Sequence, residues 1–502
     1  MSNKTPQLPA TLEENHALIL AQQEKINALS FELSNLKRLV FGQKSERFIP
    51  AVTTPVEQGE LFKEAELPPV GFSETKEKIS YERRKRGHGR NPIPSDLYTE
   101  VITLEPSDEE KRCACGRDKF VIGQEETTKL EYRPAILFAK KYIRPKYACK
   151  CPESTVTTAS LPAFLIPGGI AGTSLIAWII ISKFIDGLPL YRLESIFKRY
   201  GIHINRSSMD GWLDQVFPYF ERLVEVMLKE LLASFYVQAD ETFIRILESA
   251  IKGKSHLGYF FPFVGDGRIA IFDYREGRGR TGPTDMLKEF EGKYLMTDGY
   301  AGYHEVVEQK KLTHLICWAH ARRGIFEAKD LFPAFSKQML DLIKMLYAVE
   351  EEAREKKLDA SGIHALRLEK SKPVITEIEQ LLQNPGCVIL PQDPMGKAIA
   401  YCKNHWTQLN NYLSDGRLPI DNNLVERLIR TVAIARKNFL FCASHRGARR
   451  MAAIYSVLAT CKLNDINPYE YLTDMLNRIV THPQTRLNEL TPVVWKAARQ
   501  PA

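Results

Sequence analysis

From Phe235 onward the hydrophobic period of this chain shortens from that of helices to that of strands, and the order of the segments that follow leaves few folds open. FYVQADETFIRI, HLGYFFPFVG and RIAIFDYRE are consecutive strand candidates separated by turn residues. A helix candidate, TDMLKEF, comes next, then the strand KYLMTDGY, the helical GYHEVVEQ and the strand THLICWAH. The order is β-β-β-α-β-α-β, and it predicts a mixed sheet with helices on both faces.

That is the element order of the ribonuclease-H-like fold, in which acids on the first and fourth strands lie side by side. Asp240 stands on the first strand candidate and Asp298 on the fourth. In the first strand Phe235, Val237 and Ala239 alternate with Tyr236, Gln238 and Asp240, so the acid is expected to share its face with polar neighbours. A third acid comes from the helical run DNNLVERLIRTVAIARKN, beyond a long helical insertion at 330–415. In steps of about 100° per residue, Arg430, Lys437 and Asn423 fall on the side of Glu426, while Leu424, Val425, Leu428, Ile429 and Val432 fall opposite. One face packs, and the other presents a carboxylate among cations behind an Asp-Asn-Asn cap. Three acids brought to one point beside many Arg and Lys side chains are what a protein needs to hold Mg²⁺ against a phosphodiester.

The remaining segments extend this core into a multidomain α+β chain, because 502 residues exceed what one hydrophobic core organises. Apolar content of 44% and charged content of 26% are those of an ordinary globular protein. Leu12, Ile19, Ile26, Leu33 and Val40 recur every seventh residue, with Leu29 and Leu36 at second seam positions and polar Asn15 and Gln22 at the other two. The segment 1–48 reads as a coiled-coil helix that makes a homo-oligomer, or as an amphipathic helix packed on its own chain. Residues 49–90 read as a flexible linker with a basic end formed by Arg83, Arg84, Lys85 and Arg86. At 91–157, Cys113 and Cys115 are paired at a distance with Cys149 and Cys151; four thiolates on one structural Zn²⁺ and four ordinary thiols both remain open. Residues 158–232 are helical. A turn at Gly201 before a helix opening at Arg206-Ser207-Ser208 reads as a helix-turn-helix DNA-binding region capped by the Ser pair, or as core helices. Residues 233–445 form the catalytic domain and 446–502 a C-terminal helical region. The net charge of +8 is modest, but two basic stretches stand out: residues 427–450, which point to DNA phosphates, and the linker end, which reads as phosphate-seeking or equally as a solvated charged face. Neither a signal peptide nor a membrane span is legible, so a cytoplasmic, nucleoid-associated protein without membrane contact is expected.

FGQKSERF, RRKRGHGRNPIP, RPKYACKC, LPLYRLESIF, QADET, MTDGYAGY, CWAHARR, IDNNLVERLIRTVAIARKNFLFCAS and SVLATCKLNDINPYEYL, in that order, resemble the DDE transposases of the insertion-sequence 66 family. The resemblance covers nearly the whole chain. It implies Asp240, Asp298 and Glu426 as the catalytic set, a zinc-finger-like unit, a helical insertion before the glutamate, and accessory proteins of the same element as partners. The activity implied is cleavage at the ends of an insertion sequence and joining of the freed 3′ end to target DNA, with two Mg²⁺ ions, or Mn²⁺ in their place, held by the three acids. Arg430, Arg436 and Lys437 are expected to contact phosphates. The two C-x-C pairs depart from the C-x-x-C more common in the family. Cys317-x-x-His320 within CWAHARR matches a pair noted in several DDE groups; spacing alone assigns it no role, and orienting the active site, binding a metal, or a strand-end Cys with a buried His all fit.

Overall fold

The structure, a computed structural model, describes Gln22, Lys25, Ile26, Leu29 and residues 137–142, 146–147, 157–158, 162–249 and 254–499. The chain divides into two compact units, 1–43 with 141–502, and 44–140. Arg83, Arg84, Lys85, Arg86, Cys113, Cys115, Cys149 and Cys151 lie outside the described residues, as does most of the heptad segment. Ile26 and Leu29, both expected seam positions, are helical and 57% exposed.

A two-stranded ribbon, β1 (Lys146–Tyr147) with β2 (Thr157–Thr158), precedes three helices: α1 (Thr173–Phe184), α2 (Leu190–Arg199) and α3 (Arg206–Leu232). Gly201, at φ +76, turns the chain between α2 and α3, a left-handed conformation that a side chain would strain. The α3 N-cap is Asn205, one position before the expected start, so Ser207 and Ser208 lie inside the helix. Met209, Trp212, Val216, Phe220, Leu223 and Met227 line the buried side of α3, which packs on the strand Ile269–Arg275 and the helix His445–Leu463. The residues expected to form a DNA-binding region thus contribute to the core of the sheet.

The sheet comprises β3 (Tyr236–Ala239), β4 (Thr242–Ile246), β5 (His256–Gly265), β6 (Ile269–Arg275), β7 (Tyr294–Thr297) and β8 (Thr313–Ile316). β3 and β4 pair with successive stretches of β5, Ala239 with Phe263 and Thr242 with Phe260, so they are one strand interrupted at Asp240-Glu241. β6 pairs antiparallel with β5, while β7 runs parallel to β3 and β8 parallel to β7. α4 (Thr281–Met286) and α5 (His304–Lys310) form the connections, the first ending before the expected Phe290.

The segment between β8 and Glu426 is helical, as its sequence predicts: α6 (Trp318–Glu327), α7 (Pro333–Glu355), α8 (Ala360–Leu366), α9 (Lys372–Gln383), α10 (Pro394–Asn404) and α11 (Trp406–Asn410). These helices share one apolar core with the sheet, in which Met296 and Leu315 of the strands meet Ile325, Met339, Ile378 and Met395. Arg367, in a π-helical turn and 2% exposed, forms a two-pronged pair with Glu350 at 2.8 and 2.7 Å. Its guanidinium also donates to the carbonyls of Tyr412, Asp415 and Leu418, which fixes the returning chain.

α12 (Asn423–Phe439), α13 (His445–Leu463), α14 (Pro468–Arg478) and α15 (Pro492–Ala497) complete the unit. β6 is an edge strand whose free N–H groups would invite another strand. Ser456 and Thr460 of α13 prevent this: their hydroxyls accept from Phe272 N at 2.8 Å and Ala270 N at 3.0 Å. Among the described residues, no helix is long and apolar enough to cross a membrane.

Candidate active site

Asp240 occupies the break between β3 and β4, where its backbone N–H makes only a long bond to Pro262 O, at 3.4 Å. Its Oδ1 accepts from Glu241 N at 2.7 Å. The parallel register sets Gln238 beside Met296, and continuing it by two residues sets Asp240 beside Asp298. Both acids therefore stand at the carboxyl ends of adjacent parallel strands, where such sheets open crevices.

Asp298 is held from three directions. Its Oδ1 accepts from Tyr300 N at 2.8 Å, and Gly299 between them takes φ +97. Thr297 Oγ1 accepts from Gly299 N at 3.1 Å and is hydrogen-bonded to His314 Nε2 at 2.9 Å, with burial pushing the His314 imidazole down to about 4. Tyr401 of α10 donates its hydroxyl to the Asp298 carbonyl at 2.6 Å. The helical insertion thus buttresses the second acid as well as separating it from the third.

Glu426 reaches the same place through the segment before α12. Trp318 N donates to Ile420 O at 3.2 Å, Gln238 Nε2 to Asp421 O at 2.8 Å, and Asn422 Nδ2 to Ala239 O at 2.9 Å. Gln238, which alternation assigns to a polar face, is 1% exposed and committed to this contact. Asn422 makes no side-chain cap; its amide ties the helix to the strand that carries Asp240. Glu426 Oε2 pairs with Arg323 at 3.2 Å, and its Oε1 lies 3.6 Å from His320 Nδ1.

Carboxylate oxygens of Asp240, Glu241 and Asp298 lie within 4.8 Å of one another, as do ligand atoms of Cys317, His320 and Glu426. Either group could hold a metal ion. Burial pushes the Asp240 carboxyl up to about 7; the Glu241 N–H opposes this, and the charges of Asp298, Glu241 and Glu426 add to it. Burial also raises Glu241, against the guanidinium of Arg278 that pairs with it. Arg278 stacks on the Tyr300 ring at 4.1 Å, and Tyr303 donates to Glu241 Oε2 at 3.4 Å. Burial lowers the His320 imidazole, with the Glu426 charge opposing.

The structure sets Asp298 beside Asp240 and ties the start of the Glu426 helix to the strand that carries Asp240; the oxygens of the two aspartates cluster with Glu241, and Glu426 clusters with Cys317 and His320. Arg430 and Lys437 are exposed on α12, whereas Arg436 donates to Thr242 Oγ1 at 3.0 Å and Phe243 O at 2.8 Å and stacks on the Phe243 ring. Glu241, Arg278 and Arg323 escaped the sequence reading. For Glu241 the available signal was a second acid directly following Asp240.

The Transposase IS66 family model matches residues 168–450, which include all three acids. The chain belongs to the IS66 family of transposases. The IS66 C-terminal element matches 456–493, beginning at the serine that covers the sheet edge. The zinc-finger binding domain of transposase IS66 matches 110–151, spanning the four paired cysteines, and the family model described as transposase C of IS166 homeodomain matches 28–102. Three uncharacterized proteins of Sinorhizobium fredii (strain NBRC 101917 / NGR234) are similar along nearly their whole length. y4jD is 31% identical, over 99% of each chain. y4qI is 30% identical over 94% of this chain and 90% of its own, and y4hP 30% over 94% and 89%. Family membership makes DNA the partner and implies a divalent metal in the DDE region and zinc at the cysteine unit.

Proposed function

We propose that this IS66-family chain binds the ends of an insertion sequence, cleaves a phosphodiester there and joins the freed 3′ end to target DNA, using a ribonuclease-H-like core with Asp240, Asp298 and Glu426 as its catalytic acids. The observation that carries the reading is that Asp240 and Asp298 stand side by side at the ends of adjacent parallel strands with their oxygens in one cluster, while the Gln238 and Asn422 bonds tie the start of the Glu426 helix to the same strand. The sheet order β6-β5-β3/β4-β7-β8, three strands antiparallel and the rest parallel, supports the fold assignment.

The donor set fits magnesium: all carboxylate oxygen, partly buried, with more negative charge than the flanking cations offset. Magnesium ions bound there would activate the attacking oxygen and stabilise the departing 3′ oxygen of an in-line displacement. Asp240 and Asp298 supply the central oxygens, and Glu426 completes the set from α12. Asp240 must give up its proton to serve as a ligand. Arg278 and Arg323, about half exposed and each paired with an acid at the rim, are positioned to meet phosphate oxygens. In the first displacement water bonds to phosphorus as the bond to the 3′ oxygen breaks; in the second the freed 3′-hydroxyl loses its proton and bonds to a target phosphorus as that phosphodiester's own 3′ oxygen leaves. Neither needs a covalent bond to the protein or an external energy source.

The test is an in vitro reaction with labelled duplexes carrying the element's terminal repeats, a target plasmid and Mg²⁺. Joined product is expected from the parent and none from Asp240→Asn, which should still bind the ends. Joining by Asp240→Asn would sink the assignment, and cleavage without joining would reduce the protein to a nuclease.

A further inference from the structure

Glu426 presents its two oxygens to different surroundings. Oε2 is paired with Arg323, while Oε1 is buried and without a hydrogen-bond partner. Facing it at 3.6 Å is His320 Nδ1, also buried and also without a hydrogen-bond partner. That separation is too long for a hydrogen bond. Two buried polar atoms that face each other without a hydrogen bond are costly, so their mutual orientation calls for an occupant.

The third member is Cys317, the residue before the first turn of α6, with His320 three residues on. This spacing turns both side chains to one side of the helix N-terminus. Cys317 Sγ accepts from Asn422 N at 3.1 Å, and the N–H groups of His320 and Ala319 also face it. Converging backbone donors suit a thiolate, although burial holds the thiol protonated, up to about 12, when nothing is bound. Ligand atoms of the three side chains lie within 4.8 Å of one another. The 3.6 Å between nitrogen and oxygen is close to the edge of a tetrahedron with bonds of roughly 2.0–2.2 Å.

We propose that Cys317 Sγ, His320 Nδ1 and Glu426 Oε1 bind one borderline divalent transition-metal ion, with Zn²⁺ the best match to a sulfur, nitrogen and oxygen set, leaving a fourth position open. Binding releases the thiol proton, so affinity rises with pH. The site differs in chemistry from the all-oxygen group of Asp240, Glu241 and Asp298, which suits a hard cation. Its consequence is positional: an ion on Oε1 locks the first turn of α12 to the first turn of α6 and fixes the rotamer of Glu426, so that Oε2, paired with Arg323 when nothing is bound, is the oxygen presented to the Asp240–Asp298 group. The proposal shares a residue with the transposase reading but does not depend on it.

Cobalt is the probe. The full-length chain, stripped with chelator under reducing conditions and titrated with Co²⁺, is expected to show thiolate-to-cobalt charge transfer. Cys317→Ser and, separately, His320→Gln are each expected to lose about one equivalent of that tetrahedral signal relative to the parent. Any thiolate site among Cys113, Cys115, Cys149 and Cys151 contributes equally to all three proteins and cancels. Unchanged cobalt stoichiometry in a folded His320→Gln overturns the proposal, even where Cys317→Ser does not fold. The measurement uses no DNA and no Mg²⁺, so its failure is distinct from failure of strand transfer.

Discussion

Gln238 and Asp421 are 183 positions apart in the chain, and the Gln238 side chain donates to the Asp421 carbonyl across 2.8 Å. With the parallel bond from Asn422 to Ala239, this link makes the strand carrying Asp240 and the helix carrying Glu426 a single piece. The third acid is aimed from its own backbone, not by the length of the insertion before it.

Asn422→Asp keeps the shape and removes the donor. It leaves the Ala239 carbonyl buried and facing a carboxylate, at a cost of about 1–3 kcal/mol. Mg²⁺-dependent cleavage should fall much further than affinity for terminal-repeat DNA. Equal losses in the two assays would mean the contact does not aim Glu426.

Asp240 gives a pH signature. Burial pushes its carboxyl up to about 7, above an exposed aspartate, so the cost of ionising it is absent in acid, develops as pH rises from the exposed range toward about 7, and is complete above that. In chelator, Asp240→Asn should be more stable than the parent at about pH 8, on the order of 2 kcal/mol, and the gap should close toward about pH 4. Urea midpoints at both pH values measure this, and a gap that widened in acid would contradict the sign.

Gly299 is required by its backbone. At φ +97 a side chain is strained, and a Cβ would also stand 3.3 Å from His405 Nε2. Gly299→Ala should cost about 1–3 kcal/mol and displace Asp298. A crystal structure of the variant with Asp298 unmoved and cleavage intact would refute this.

Arg367→Leu should destabilise the protein by about 3–5 kcal/mol, because Glu350 and several carbonyls lose a buried cation. Adding Glu350→Leu should recover part of that loss. Thermal unfolding of the single and double variants decides it.

On α12, neighbouring cations should separate cleanly. Arg430→Ala or Lys437→Ala should weaken DNA binding and reduce the salt slope by about one while leaving stability unchanged. Arg436→Ala should destabilise the fold through its bonds to β4. An unchanged melting temperature for Arg436→Ala, with a reduced salt slope, would transfer it to the first class.

Much of this was legible beforehand because it is local. Period-two alternation over 235–246 and 256–276 does not depend on distant residues, and neither does the apolar stripe of α12, where Val425, Leu428, Val432 and Ala435 are buried. Gln238 and Asn422 were misread for the opposite reason: one looked like a polar-face residue and the other like a cap, and each is consumed by a partner far along the chain. Arg436 looked equivalent to Lys437, yet the single-residue step around the helix turns it onto β4.

The sequence by itself determined the element order and the family and singled out three acids as candidates, since motifs and periods are written along the chain. Only the tertiary structure decided that β3 and β4 are one strand broken at Asp240, that Glu241 joins the acidic group, and that Tyr401 of the insertion braces Asp298. It also decided that His320 and Cys317 face Glu426. Hydrogen bonds and desolvation act over a few ångströms of space, so which polar groups find each other is fixed only once the chain has packed.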